Sequence, residues 1–143
     1  MDRRNFIRLG IAGAAGSIIA PKIVLAASPK ISTPGAGGVF YTKDAPGRWS
    51  KKVGGHLPKI AVAKKGKDAA IEILTPHSMK NFEHYIVKHM LLDKDFKFLD
   101  ETMFKPGKDK TAKSSYTLKG YSGPLYALSV CNKHDTWMEI VEV

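Results

Sequence analysis

Residues 47–143 of this 143-residue chain are predicted to fold as an all-β, immunoglobulin-like antiparallel β-sandwich. Short runs rich in β-branched and aromatic residues recur at regular spacing. Gly, Pro and Asp clusters punctuate them, and no segment carries a convincing amphipathic helical pattern.

The elements follow in order. Ile60-Ala61-Val62-Ala63 stops at Gly66-Lys67-Asp68, and Ala70-Ile71-Glu72-Ile73-Leu74 stops at Pro76. The stretch His84 to Leu92 is predicted as a strand, because its β-branched and aromatic content and the Asp93-Lys94-Asp95 turn outweigh a helical reading. Phe96 to Phe104 comes next and ends in the Pro-Gly loop Lys105 to Lys110. Ser115 to Lys119 and Leu125 to Cys131 flank Gly120-Tyr121-Ser122-Gly123-Pro124, and Trp137 to Val143 closes the chain. No internal repeat is present.

Charged residues at 25% and hydrophobic ones at 43% are ordinary globular values, and one domain of this length buries a core without disulfides. The net charge of +10 admits nucleic acid, an anionic membrane or a small anion as partner. No nucleic-acid motif is present and the lysines are spread along the chain, so nucleic acid is not expected.

Residues 1–27 read as a Tat-type signal peptide. Arg3-Arg4-Asn5-Phe6-Ile7-Arg8 is a twin-arginine n-region, Leu9 to Ala20 is weakly apolar, and Val24-Leu25-Ala26-Ala27 offers small residues for cleavage. The apolar run before Pro21 is short for a span, so no stable membrane anchor is expected after cleavage. Removing 1–27 leaves a charge of about +7. Residues 28–46, rich in Pro, Gly and Ser through Gly38, are expected to be a flexible linker ahead of the 47–143 domain. A Tat address predicts a periplasmic protein exported already folded, which favours a cofactor inserted beforehand.

The chemistry gathers around the only cysteine, Cys131, in Cys131-Asn132-Lys133-His134. A single thiol cannot close an internal disulfide, and as a thiolate it is a soft metal donor. His56, His77, His84 and His134 fall in loops or at strand starts, where one end of a sandwich can collect them. His89 lies inside the predicted strand at odd spacing from His84. Alternation sends the two side chains to opposite faces, so His89 is the histidine set apart.

The segments His77-Ser78-Met79-Lys80-Asn81-Phe82-Glu83-His84-Tyr85-Ile86 and Cys131-Asn132-Lys133-His134-Asp135-Thr136-Trp137, with His56-Leu57-Pro58-Lys59-Ile60 upstream, resemble the superoxide reductase family (desulfoferrodoxin and neelaredoxin). The resemblance implies a mononuclear non-haem iron with His56, His77, His84 and His134 equatorial and Cys131 axial. It implies superoxide as substrate, hydrogen peroxide as product, an external electron donor and a homo-oligomer. Cys131 is then the catalytic thiolate, pushing electron density toward the open position. The Glu-Lys pair that many members carry before the first histidine reads Gly54-Gly55 here, and Lys51 and Lys52 are the nearest positive charges in sequence. The N-terminal four-cysteine iron domain of desulfoferrodoxins has no counterpart. Two other readings use the same residues. Cys131, His134 and Met138 resemble a cupredoxin copper loop, which would make the protein an electron carrier, and an iron-binding or sensing module would lack fast turnover.

Overall fold

The computed structural model describes Ile23–Val24 and residues 33–143. Apart from those two residues, the predicted signal peptide lies outside the described part. Eight strands make two four-stranded antiparallel sheets: β1 (Ile23–Val24), β2 (Lys59–Lys65), β3 (Asp68–Thr75), β4 (Ile86–Leu92), β5 (Phe98–Met103), β6 (Ala112–Leu118), β7 (Pro124–Cys131) and β8 (Asp135–Glu142). One sheet runs β1-β2-β3-β6 and the other β5-β4-β7-β8. The predicted sandwich is therefore present, with the ends of β2 to β8 moved by no more than a few residues from the expected runs.

Alternation of side chains builds the core. On β3, Ala69, Ile71, Ile73 and Thr75 face inward; on β7, Leu125, Ala127, Ser129 and Cys131 do the same. The larger apolar cluster includes Ile60, Val62, Ile71, Ile73, Leu91, Leu125 and Val141. Burying each Ile or Leu contributes roughly 1.5–3 kcal/mol. A smaller cluster of Met79, Ile86, Phe104, Ala112 and Cys131 closes the end where β3 and β7 terminate.

Three local features depart from the sequence expectations. Residues 47–56 are helical: a 3₁₀ helix, Gly47–Lys52, runs into the single α-turn α1, Val53–His56, so His56 ends a helix rather than sitting in a loop. Neither piece is long enough to show a hydrophobic period, and neither has a side-chain cap. β4 starts at Ile86, which leaves His84 two residues ahead of the strand. The β4–β7 register also shifts between Ile86 and Lys88, so parity cannot be counted from His84 to His89. Finally, Tyr41 and Thr42, inside the segment expected as linker, are buried. Tyr41 N–H donates to Thr136 O at 2.9 Å and Tyr41 O accepts from Met138 N–H at 2.8 Å, which lays this segment along β8.

Candidate metal centre

The four histidines arrive on three segments: His56 on the helical strap, His77 and His84 at opposite ends of the β3–β4 connection, and His134 on the β7–β8 turn. His56 closes the helical strap 47–56, and its Nδ1–H donates to Lys52 O at 2.9 Å. His77 follows β3 across Pro76, where its N–H donates to Thr75 O at 2.8 Å in a γ-turn. Its ring Nδ1–H donates to Ser78 O at 2.7 Å. These two ring bonds fix the tautomers and leave Nε2 of both rings with a lone pair.

His84 sits in the 82–85 loop, which Asn132 clamps to the end of β7. Asn132 Nδ2 donates to Phe82 O at 3.2 Å and Glu83 O at 3.0 Å, while its Oδ1 accepts from Tyr85 N–H at 3.0 Å. His134 lies in the tight turn between β7 and β8. Its carbonyl accepts from Trp137 Nε1–H at 2.9 Å, and its ring meets Trp49 edge to face with centroids 4.6 Å apart.

The four rings form a circuit, with ring nitrogens close together on three of its sides. His77 Nε2 is 3.0 Å from His84 Nε2, His84 Nε2 is 2.9 Å from His134 Nδ1, and His134 Nδ1 is 3.0 Å from His56 Nε2. Neighbouring rings stand nearly perpendicular, from 75° between His84 and His134 to 88° between His56 and His134. The rings of His56 and His84, on opposite sides, lie within 26° of parallel. Cys131 Sγ is 3.8 Å from His134 Nδ1, and the donor atoms of His56, His77, His84 and Cys131 all fall within 4.8 Å of one another.

A square of side near 3 Å has a half-diagonal of about 2.1 Å, the length of a metal–imidazole bond. With the Nδ1 protons of His56 and His77 spent on carbonyls, both Nε2 lone pairs face the other two rings, where a cation at the centre can share them. Four nitrogens and a thiol also exceed the four tetrahedral donors of a structural zinc site. The donor set therefore fits a transition metal that accepts imidazole and thiolate with a position to spare.

Electrostatics agree with a site built for a cation. Burial, aided by the neighbouring rings, pushes His56 down to about 4; His84 and His134 are lowered by burial and by neighbouring rings and lysines. Burial raises the Cys131 thiol, and backbone N–H groups of Lys133 and His134 donating to Sγ oppose that rise. Cys131 and His56 are buried, while His77, His84 and His134 are half-buried, so one side of the cluster faces solvent.

The side chains that support the donors had no assigned role in the sequence. Asn132 sits inside the quoted Cys-Asn run, but only the fold shows what it clamps. Asp135, at φ 62°, accepts from Arg48 Nη2 at 2.6 Å and Trp49 Nε1 at 2.8 Å, tying the strap to the His134 turn. The bond from Trp49 and the Arg48 charge hold its carboxyl below the usual range. Asn132→Ala should release the His84 loop and weaken metal binding roughly 10–100-fold, as loss of a ligand-orienting partner does. Chelator competition reads this directly, and unchanged affinity would show that the clamp does not orient His84.

His89 stays apart from the cluster, buried between the sheets on β4. The reason differs from strand parity, since His84 is not on that strand.

The desulfoferrodoxin family model matches residues 48–140, which contain all five donors. Among curated proteins none matches. The superoxide reductase (neelaredoxin) from Ignicoccus hospitalis is 28% identical, over 73% of this chain and 94% of that one, with a TM-score of 0.61. The superoxide reductase from Nanoarchaeum equitans (23% identical, 62% and 93% covered, TM-score 0.54) shares the fold. So does a variant of the superoxide reductase (neelaredoxin) from Archaeoglobus fulgidus in its reduced form (23% identical, 62% and 89% covered, TM-score 0.54). The match along most of the sandwich, with the histidine circuit at its end, leads to one conclusion: the chain belongs to the desulfoferrodoxin family.

Proposed function

We propose that this protein is a superoxide reductase-type oxidoreductase whose mononuclear iron is held by His56, His77, His84, His134 and Cys131. The observation that carries the reading is the run of four imidazole nitrogens spaced 2.9–3.0 Å apart, with Cys131 Sγ beside it. Iron held there would supply the one electron by which superoxide, with two protons, becomes hydrogen peroxide, and an external donor would restore it.

The chain's own residues do the rest. The carbonyls of Lys52 and Ser78 hold two rings with Nε2 facing the centre. The buried Cys131 side keeps water from the thiolate, and two backbone N–H groups moderate its charge. Lys52 and Lys133 place positive potential on His84 and His134, the half-buried side by which an anion arrives. Gly54 and Gly55 bring no acid or base of their own to that side. Met138 follows inward-facing Trp137 on β8 and pairs with Leu128 on the outer face, away from Cys131. That pairing, with Met138 itself buried, counts against the axial sulfur a blue-copper reading needs.

Metal analysis and EPR of anaerobically purified protein, followed by rapid mixing with superoxide, test the proposal. Iron at one per chain, a thiolate charge-transfer band and oxidation at the speed of mixing are expected. Native copper with narrow hyperfine splitting would overturn it, and iron that superoxide does not oxidise would leave a binding or sensing module.

We further propose export by the twin-arginine pathway to the periplasm. Lys59, Lys64 and Lys65 on β2 suit a strand that becomes an edge when cleavage near Ala27 removes β1. Fractionation of an Arg3→Lys, Arg4→Lys double variant should find it retained in the cytoplasm; normal export would count against the signal.

A further inference from the structure

Between the two apolar clusters lies one layer of polar side chains. Along the inward positions of each strand, β3 passes from Ile73 to Thr75, β4 from Leu91 to His89 to Ile86, and β6 from Tyr116 to Ser114 to Ala112. β7 likewise passes from Ala127 to Ser129 to Cys131. Thr75, His89 and Ser129 are fully buried and Ser114 is 5% exposed.

The four form a single chain that crosses between the sheets at every step. His89 Nδ1 lies 2.7 Å from Ser114 Oγ, His89 Nε2 lies 2.9 Å from Thr75 Oγ1, and Thr75 Oγ1 donates to Ser129 Oγ at 2.8 Å. A hydroxyl has one proton, and Thr75 gives its own to Ser129. His89 Nε2–H must therefore donate to Thr75, and Nδ1 accepts from Ser114. The ring is neutral, in keeping with burial that lowers it to about 4.

An apolar layer of the same shape would hold the sheets together at least as well, because buried polar groups gain little net stability and lose much when unpaired. What hydrogen bonds add is a fixed distance and direction. Two members of the chain stand two residues before a donor of the cluster: Thr75 before His77 and Ser129 before Cys131. The His89 ring also packs edge to face on Phe104, centroids 4.9 Å apart, and Phe104 belongs to the cluster around Cys131.

We propose that the Ser114–His89–Thr75–Ser129 chain is a positioning device for the metal centre, locking the ends of β3 and β7 so that His77 and Cys131 meet at a fixed separation. None of the four belongs to the donor cluster. The proposal rests on the metal-centre reading above, and its test separates the two.

The test uses full-length protein reconstituted with Co(II), whose thiolate charge-transfer and ligand-field bands report donor geometry. Thr75→Val keeps the shape and removes the hydroxyl; Thr75→Ser keeps the hydroxyl. As control serves whichever of Ile71→Val and Leu125→Ala, in the cluster without donors, matches the Tm loss of Thr75→Val. Thr75→Val should shift the cobalt bands and speed metal loss to chelator roughly 10-fold relative to that control. Thr75→Ser should restore both. Equal release from Thr75→Val and the control, or failure of Thr75→Ser to rescue, would overturn the positioning role alone. Wild-type protein that takes up no cobalt at its thiol would overturn the metal centre, and this proposal with it.

Discussion

Cys131→Ser should abolish the thiolate-to-metal charge-transfer band and superoxide-driven oxidation together, while the protein remains folded. The thiol is 3% exposed, among Met79, Ile86, Phe104 and Ala112, and burial raises its pKa. A thiol so placed gives up its proton only to a cation within bonding distance. The two amide donors, from Lys133 and His134, are aimed at the resulting charge. Serine keeps the volume nearly constant, but its neutral hydroxyl is a hard, weak donor. The metal would then hang on four imidazoles alone. Burying that hydroxyl among apolar neighbours costs about 1–3 kcal/mol, a fraction of ordinary domain stability. Because the bound form requires a thiolate, affinity for metal should rise with pH in the wild type. The serine variant should lose that part of the dependence, as metal titrations at several pH values would read. Cys131 is the only cysteine, so a Cys131→Ser variant that kept the band would show that the band does not come from a thiolate and dismantle the site as described.

The sandwich was legible because short β-branched and aromatic runs recur between Gly, Pro and Asp turns. In β3 the buried Ala69, Ile71 and Ile73 alternate with exposed Asp68, Ala70 and Glu72, the period of two of a half-buried strand. The candidate donors stand out by type and order, since a lone thiol and four histidines at element ends invite a soft-metal reading. What the sequence could not show is what brings them together. Asp135 and Arg48 are 87 residues apart, and Asn132 reaches Phe82 across 50. Such partners belong to the topology, because pairing of β4 with β7 is what sets the His84 loop beside the Cys131 turn. The strap 47–56 escaped detection for a simpler reason. Two short pieces of different helix type, with no buried side chain in the first, carry no period to read. His89 shows how a right outcome can rest on a wrong premise. It is apart from the donors because it faces Thr75 and Ser114 in the core, not because it alternates with His84.

Glycines in the strap divide sharply by position, and that division sets up the second large effect. Gly47, at φ +48°, opens the 3₁₀ helix, and a Cβ there would fall on the backbone carbonyl of Gly37 and 2.9 Å from Tyr41 Cε1. Neither neighbour can easily give way: one is backbone, and Tyr41 is buried against Trp137, with its ring centroid 5.6 Å away. Left-handed backbone alone costs a non-glycine residue roughly 1–2 kcal/mol, and the overlap adds to it. Gly47→Ala is therefore expected to destabilise by about 3 kcal/mol and lower Tm by roughly 10 °C. The strain relaxes most cheaply by swinging the strap outward, which draws Arg48 and Trp49 from Asp135 and His56 from the other rings. Metal should accordingly be held more weakly in the surviving folded protein. Gly54→Ala, closer in sequence to His56 but with open space around its Cβ, meets no such barrier. It should leave metal affinity intact and gain up to about 1 kcal/mol from reduced freedom of the unfolded chain. Thermal melts with and without chelator separate the two. If both variants melt alike, the strap is not pinned at Gly47, and the placement of His56 must depend on its bond to Lys52 and the metal alone.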